Sequence, residues 1–112
     1  MRIVSQDGMS DLPYNRIGIC INYKTKRDII AYPAGTYTPD DEYWVLATYS
    51  TEQKTIKAMG MLHDIYESYS MYKLMDNKQR AMTEMSLPRN QLIGVHGVFR
   101  FPQDDELEVY NG

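Results

Sequence analysis

Apolar and polar residues alternate along residues 16–24, where Ile17, Ile19, Ile21 and Tyr23 occupy every second position. A period of two over this length predicts a strand with one buried face. Shorter runs of apolar and β-branched residues have the same character elsewhere in the first half of the chain. They predict further strands at residues 2–5, 29–32 and 43–49, with a loop over 33–41, where prolines and a glycine interrupt the pattern.

The pattern changes to a helical period after residue 50. Ser50 is expected to be the helix N-cap, and Gln53, three residues later, completes a capping box. The helix is expected to end near residues 75–77, and a weaker helical pattern without an evident cap follows over 78–85. Apolar residues recurring every three or four positions predict the buried stripe of the long helix, namely Ile56, Met59, Leu62, Ile65, Tyr66 and Tyr69.

The last strand is predicted at residues 91–101, where alternation resumes before Pro102 stops it. One face of this strand would carry Ile93, Val95, Gly97, Phe99 and Phe101, and the other face His96 and Arg100. Residues 103–112 are acidic and predict a solvated tail. Residues 1–112 are therefore expected to form one α+β domain. It would have an antiparallel sheet of four to five strands, one long amphipathic helix and a second, shorter helix packed on it.

Composition excludes several classes of function. The formal net charge of −3 argues against a protein that coats nucleic acid, so no DNA partner is expected, although local arginines still permit a small anionic ligand. Cys20, the single cysteine, cannot form an intramolecular disulfide. The start of the chain lacks the apolar core of a signal peptide, and no run approaches the roughly 18 apolar residues of a membrane span. These features predict a cytoplasmic protein.

Catalytic and metal-binding spacings are also missing from the sequence. There is no phosphate-binding glycine loop, nucleophile elbow or zinc-protease motif. The two histidines are far apart, and no acidic pattern joins them, so neither a metal nor a cofactor is expected. The chain is expected not to be an enzyme.

Arg100 is the strongest candidate for contact with a ligand, because it lies between Phe99 and Phe101. Its planar guanidinium could bind a phosphate while an aromatic neighbour stacks a base. The structural alternative is that it pairs with an acidic residue, Asp104 or Glu106. Other candidates are Arg89, Asn90 and Gln91, at the predicted mouth of the same strand, and His96, for which both a ligand role and a structural role stay open.

The ten tyrosines and eight methionines also allow two interpretations. They could form an adaptable core and an oligomer interface, because methionine fills irregular gaps and tyrosine works half-buried. Some of the aromatic residues could instead form a platform for a base, since an aromatic ring stacks on any base. Composition alone does not separate these interpretations.

The opening segment 3–8 with residues 12–14, the strand-to-helix segment 49–52 and the closing segment 99–106 together resemble the anti-Thoeris signal sponges of phages and prophages. The resemblance implies an anti-defence protein of a bacteriophage that sequesters cyclic ADP-ribose isomers without cleaving them. It also implies dimers that assemble into a hexamer, with nucleotide pockets between protomers. Some relatives hold cyclic trinucleotides at a separate site. Arg100 matches the arginine of the C-terminal motif, and Tyr72 is the candidate for the base-stacking aromatic.

A second function stays open at the level of sequence. The chain could be a small protein-binding module that inhibits or regulates a host or phage factor without any small-molecule ligand. The acidic residues of segment 104–108 and the tyrosines of segment 66–72 support this alternative.

Overall fold

The computed structural model describes residues 1–35 and 43–108, with Asn90 by its backbone alone. Within these ranges six strands and three helices confirm the predicted α+β class, including the long helix and a shorter one. Most of the predicted loop at 33–41 lies outside the described residues. In chain order the elements are β1 (Arg2–Val4), β2 (Asp11–Pro13), β3 (Ile17–Ile21), β4 (Asp28–Pro33), β5 (Trp44–Thr48), α1 (Glu52–Lys73), α2 (Asn77–Ser86), α3 (Arg89–Val95) and β6 (Val98–Arg100).

The strands form two three-stranded sheets rather than a single antiparallel sheet of four to five. In the first sheet, β1 is central, antiparallel to β2 and parallel to β6. In the second sheet, β4 is central and antiparallel to both β3 and β5. Ile29, Ile30 and Ala31 of β4 are all buried, as expected for a central strand covered on both faces. The strands predicted at 2–5, 16–24, 29–32 and 43–49 are confirmed with slightly different ends.

Gln6 connects the two sheets immediately after β1. Its backbone N–H donates to the carbonyl of Leu46 at 2.7 Å, and its Oε1 accepts from the N–H of Thr48 at 3.1 Å. Its Nε2 donates to the carbonyl of Pro102 at 3.2 Å, and its carbonyl accepts from Nε2 of Gln103 at 2.6 Å. The opening and closing sequence segments are therefore adjacent in space, because Gln6 in the opening segment hydrogen-bonds to residues of the closing segment and of β5.

Helix α1 begins one residue later than predicted. Thr51 is its N-cap, and its hydroxyl accepts from the N–H of Lys54 at 3.1 Å, so the predicted box from Ser50 to Gln53 is wrong. The N–H of Ser50 donates instead to the carboxylate of Asp104. The buried face differs from the predicted stripe as well, since Ile56 is 55% exposed. The side chains of α1 that are buried are Thr55, Ala58, Leu62 and Tyr72.

Helix α2 has a cap that the sequence pattern did not reveal. The side chain of Asp76 accepts from the N–H of Gln79 at 2.8 Å, and the side chain of Gln79 accepts in return from the N–H of Asp76 at 3.0 Å. This reciprocal pair is a capping box, and it satisfies backbone donors that a helix start leaves without partners.

The predicted strand at 91–101 is wrong over most of its length. Residues 89–95 form α3, and only Val98–Arg100 pair as a strand. Gly97 ends the helix with φ +99°, a conformation that favours glycine. Gly94 allows α3 to approach α1, because a side-chain Cβ there would lie 2.7 Å from Cδ1 of Ile65. The strand was predicted from alternation, but a short helix that contains β-branched residues, as α3 contains Ile93 and Val95, can show the same pattern.

The segment after β6 packs on the fold rather than forming a solvated tail. Asp104 accepts from the N–H of Ser50 at 2.7 Å and forms an ion pair with Nζ of Lys54 at 3.0 Å. Leu107 is 5% exposed and belongs to the core. The prediction of a solvated tail is therefore wrong up to this point, and residues 109–112 lie outside the described residues. The core that this segment joins includes Ile3, Ile29, Leu46, Leu62, Phe99 and Phe101.

Candidate ligand-binding groove

A groove of about 830 Å³ lies between α1, the ends of α2, α3 and the chain that follows β6. Helix α1 contributes Ile65 and Tyr72 to its lining, and α3 contributes Gln91 and Val95. Helix α3, which stands where a strand was predicted, therefore forms one of its walls. We call this space the groove; its volume lies within the range of pockets that hold small molecules.

Several residues predicted from the sequence as ligand-binding line the groove together. These are Tyr72, Gln91, Phe99, Arg100 and Phe101. Phe99 and Phe101 are 6% and 1% exposed, and their rings meet edge to face with centroids 5.0 Å apart. Most of their surface is committed to the core, and Tyr72 is buried as well, so Gln91 and Arg100 are the exposed members of this set.

The other predicted residues lie outside the groove lining or are not described in full. His96 caps the end of α3, not a strand face shared with Arg100, and its ring lies 5.4 Å from the ring of Tyr72. Arg89 is exposed at the start of α3 and does not line the groove. The side chain of Asn90 lies outside the described residues.

Arg100 is exposed at the rim of the groove and contacts the turn after β1. Its Nη2 donates to the carbonyl of Gln6 at 3.3 Å. The pKa of Asp7 is lowered by hydrogen bonds from the Ser5 hydroxyl and the Met9 N–H, with a smaller contribution from the positive charge of Arg100.

The predicted structural pairing of Arg100 with the acidic segment is wrong. Asp104 pairs with Lys54, and the carboxylate of Glu106 accepts from the N–H of Gln103 at 2.9 Å. The guanidinium keeps an exposed position, and its hydrogen bond to Gln6 is long. This arrangement suits a group that binds an anion from solvent.

Tyr72 is held at the groove by a polar cluster on α2 and α3. Its hydroxyl donates to the carboxylate of Glu84, and Nε2 of His96 lies 3.2 Å from Oε1 of the same carboxylate. The guanidinium of Arg80 lies 5.3 Å from the centroid of the Tyr72 ring. The hydrogen bond to Glu84 raises the pKa of the Tyr72 hydroxyl, with further contributions from burial and from the charge of Glu84.

Sequence reasoning missed Gln6, Arg80 and Glu84. A signal for the last two exists, because residues four apart on a helix share a face. The capping pair of Asp76 and Gln79 would have fixed where that helix begins. For Gln6 there is no local signal, since its partners lie 40 to 97 residues away along the chain.

Two further findings concern metal binding and membrane spans among the described residues. Among them, no group of three or more histidine, cysteine or acidic side chains is placed to hold a metal ion. Nor is any helix in these ranges long and apolar enough to cross a membrane.

Comparison of the chain with protein-family models, with curated proteins and with solved structures gives no match. The resemblance to the anti-Thoeris sponges therefore rests on the sequence segments named above.

Proposed function

We propose that this protein is a phage-encoded sponge that binds a cyclic ADP-ribose isomer in the cytoplasm of the infected bacterium and does not cleave it. The observation that carries the proposal is the groove of about 830 Å³. Its lining includes the exposed Arg100 and Tyr72, whose hydroxyl is bonded to Glu84. The mechanism is mass action. A sponge present at the concentration of the signal lowers the free signal below the level that its effector needs.

The chemistry of the lining supports a ligand with a base and phosphates. Arg100 offers a planar guanidinium, which binds a phosphate through two parallel hydrogen bonds. Gln91 offers an exposed amide that can read the edge of a purine, and Tyr72, whose side chain is largely buried, is the candidate to stack a base through the part of its ring that lines the groove. Apolar side chains such as Ile65 and Val95 also line the groove and could contact the base.

Assembly into a symmetric homo-oligomer is part of the proposal. Large apolar side chains are exposed on the single chain, and closed symmetry is the usual way in which copies of a small domain cover such surface. A dimer, or dimers assembled into a hexamer, would also extend the groove with residues of a neighbouring copy. The exposed residues include Trp44, Val45, Ile56, Tyr66, Met71, Leu74 and Met85.

Calorimetry with cyclic ADP-ribose isomers tests the proposal. Arg100→Ala is expected to weaken binding by about 1.5–3 kcal/mol, the range for a hydrogen bond to a charged group. Arg100→Lys should recover only part of this loss, because an ammonium lacks the planar fork. Arg89→Ala is the matched control, since Arg89 is exposed outside the groove lining and its removal should leave affinity unchanged.

Two results would contradict the proposed binding without cleavage. One is unchanged affinity in a folded Arg100→Ala protein, which would remove the phosphate contact. The other is recovery of hydrolysed ligand after the complex is denatured, since a sponge must release the nucleotide intact. Light scattering that shows a monomer at micromolar protein would contradict the symmetric assembly.

Exposed methionines favour the second candidate function, a protein-binding module that regulates a host or phage factor. Met71, Met82 and Met85 are 56%, 63% and 88% exposed, and methionine-rich surfaces adapt to varied partners. A thermal-shift screen separates the two functions. A nucleotide at a hundredfold excess over its Kd stabilises the folded protein by about 2.7 kcal/mol, whereas a full nucleotide panel without a shift would favour the protein partner.

A further inference from the structure

Helix α2 contributes to the groove although it is weakly attached to the rest of the protein. None of its residues is buried. Thr83 of α2 nevertheless lines the groove, together with Met75 just before the helix and Leu87 just after it. A helix without a buried face lacks the main stabilisation that holds helices in place, which is the packing of an apolar stripe.

Besides the Thr83 hydroxyl, which donates to Sδ of Met75 at 3.4 Å, polar contacts at two places hold α2. Near its first turn, Arg80 donates from Nε to the carbonyl of Tyr72 at 3.2 Å and from Nη2 to the carbonyl of Lys73 at 3.0 Å. One turn later, the carboxylate of Glu84 accepts from the Tyr72 hydroxyl and lies 3.2 Å from Nε2 of His96. The first contact joins α2 to the end of α1, whereas Glu84 joins it to both α1 and the end of α3.

The contact between Glu84 and His96 is accessible to water. The side chains of His96 and Glu84 are 52% and 40% exposed. The contact between these two side chains contributes little net stability because water competes for both groups, whereas the bond from the Tyr72 hydroxyl to Glu84 is partly buried. The attachment is therefore reversible, and regions held in this way open locally at low cost in free energy.

We propose that α2 is a hinged gate on the groove and that Glu84 is its latch. The latched helix completes the wall formed by Met75, Thr83 and Leu87, and its release at Glu84 opens a route for the ligand. The connections at residues 74–76 and 87–88 serve as hinges. His96 is then a positioning residue that acts through Glu84. The inference rests on the proposed function, because the gate controls the same groove.

The latch is tested without any ligand. Glu84→Gln keeps the size of the side chain and removes its charge, so amide hydrogen exchange across residues 77–86 should become about tenfold faster. Glu67→Gln is the matched control, because Glu67 is exposed on α1 and forms no hydrogen bond or ion pair within the described residues. Exchange in β4 should stay unchanged in both variants, which shows that the fold is intact.

His96→Asn provides a second variant that removes the contact of Nε2 with Glu84 and keeps the bond from Tyr72 to Glu84. It should accelerate exchange in α2 by a smaller factor than Glu84→Gln. Exchange in α2 that is the same in Glu84→Gln as in the wild type would overturn the latch.

Binding kinetics distinguish a gate, which moves to let the ligand pass, from a passive wall of the groove. With cyclic ADP-ribose as the probe in surface plasmon resonance, Glu84→Gln should raise both the association and the dissociation rate constants, because a gate limits passage in both directions. A rise in dissociation alone would make α2 a passive wall and overturn the gate. If the wild type binds no probe, the proposed function fails, and the exchange experiment still decides whether Glu84 latches α2.

Discussion

Replacing Gln6 with alanine removes a side chain that joins the two sheets to the segment after β6. The backbone bonds of residue 6 to Leu46 and Gln103 survive, because they use its N–H and carbonyl. Two side-chain bonds are lost, from the N–H of Thr48 at 3.1 Å and to the carbonyl of Pro102 at 3.2 Å. The variant therefore isolates the side-chain part of the connection.

The expected loss follows from what happens to the two partners. The carbonyl of Pro102 still accepts from the hydroxyl of Tyr49 at 2.8 Å, and Thr48 is exposed, so water can reach its N–H. Neither partner is left buried without a hydrogen bond, which would cost more. At about 0.5–1.5 kcal/mol for each net hydrogen bond, Gln6→Ala should lower the free energy of unfolding by about 1–3 kcal/mol.

Urea unfolding followed by circular dichroism measures this loss, with the protomer concentration held fixed because assembly would couple to stability. Gln53→Ala is the matched control, since Gln53 is exposed on α1 and makes no side-chain hydrogen bond within the described residues. Equal unfolding free energies for the two variants would refute the connecting role of Gln6. A large loss for Gln6→Ala with a normal m-value would support it.

Three further predictions concern the N-cap of α1, the glycine after α3 and the segment after β6. Thr51→Ala should lower the free energy of unfolding by about 1 kcal/mol, because it removes the N-cap of α1; in chemical denaturation an unchanged midpoint would contradict the cap. Gly97→Ala should lower the melting temperature because φ is +99° there, and calorimetry that shows no decrease would argue against this backbone. Asp104 has a pKa lowered chiefly by the N–H of Ser50 and by Lys54, so its stabilising effect is present above the carboxyl's ordinary pKa and is lost as pH falls through the lowered value. Acid titrations of stability should therefore be shallower in Asp104→Asn, and identical titrations in the two proteins would count against this role.

The sequence by itself determined the elements whose signals are local. Alternation over residues 16–24 and the apolar run at 29–32 identified β3 and β4, because a half-buried or buried strand imposes a pattern on its own residues. Helical periodicity likewise identified α1, although its cap lies at Thr51 and not Ser50. Neighbouring hydroxyl residues can both serve as caps, so local chemistry locates a helix start only within a residue or two.

Only the tertiary structure decided how distant polar groups meet. Gln6 reaches Pro102 across 96 positions, and Arg100 contacts Gln6 rather than the acidic residues that follow it in sequence. The strand predicted over residues 91–97 is wrong, because their alternation fits a strand, whereas packing of α3 on α1 through Gly94 selects the helix. The groove and the cluster around Glu84 depend on that selection. Their residues come from separate elements, and no local pattern records which elements will be neighbours.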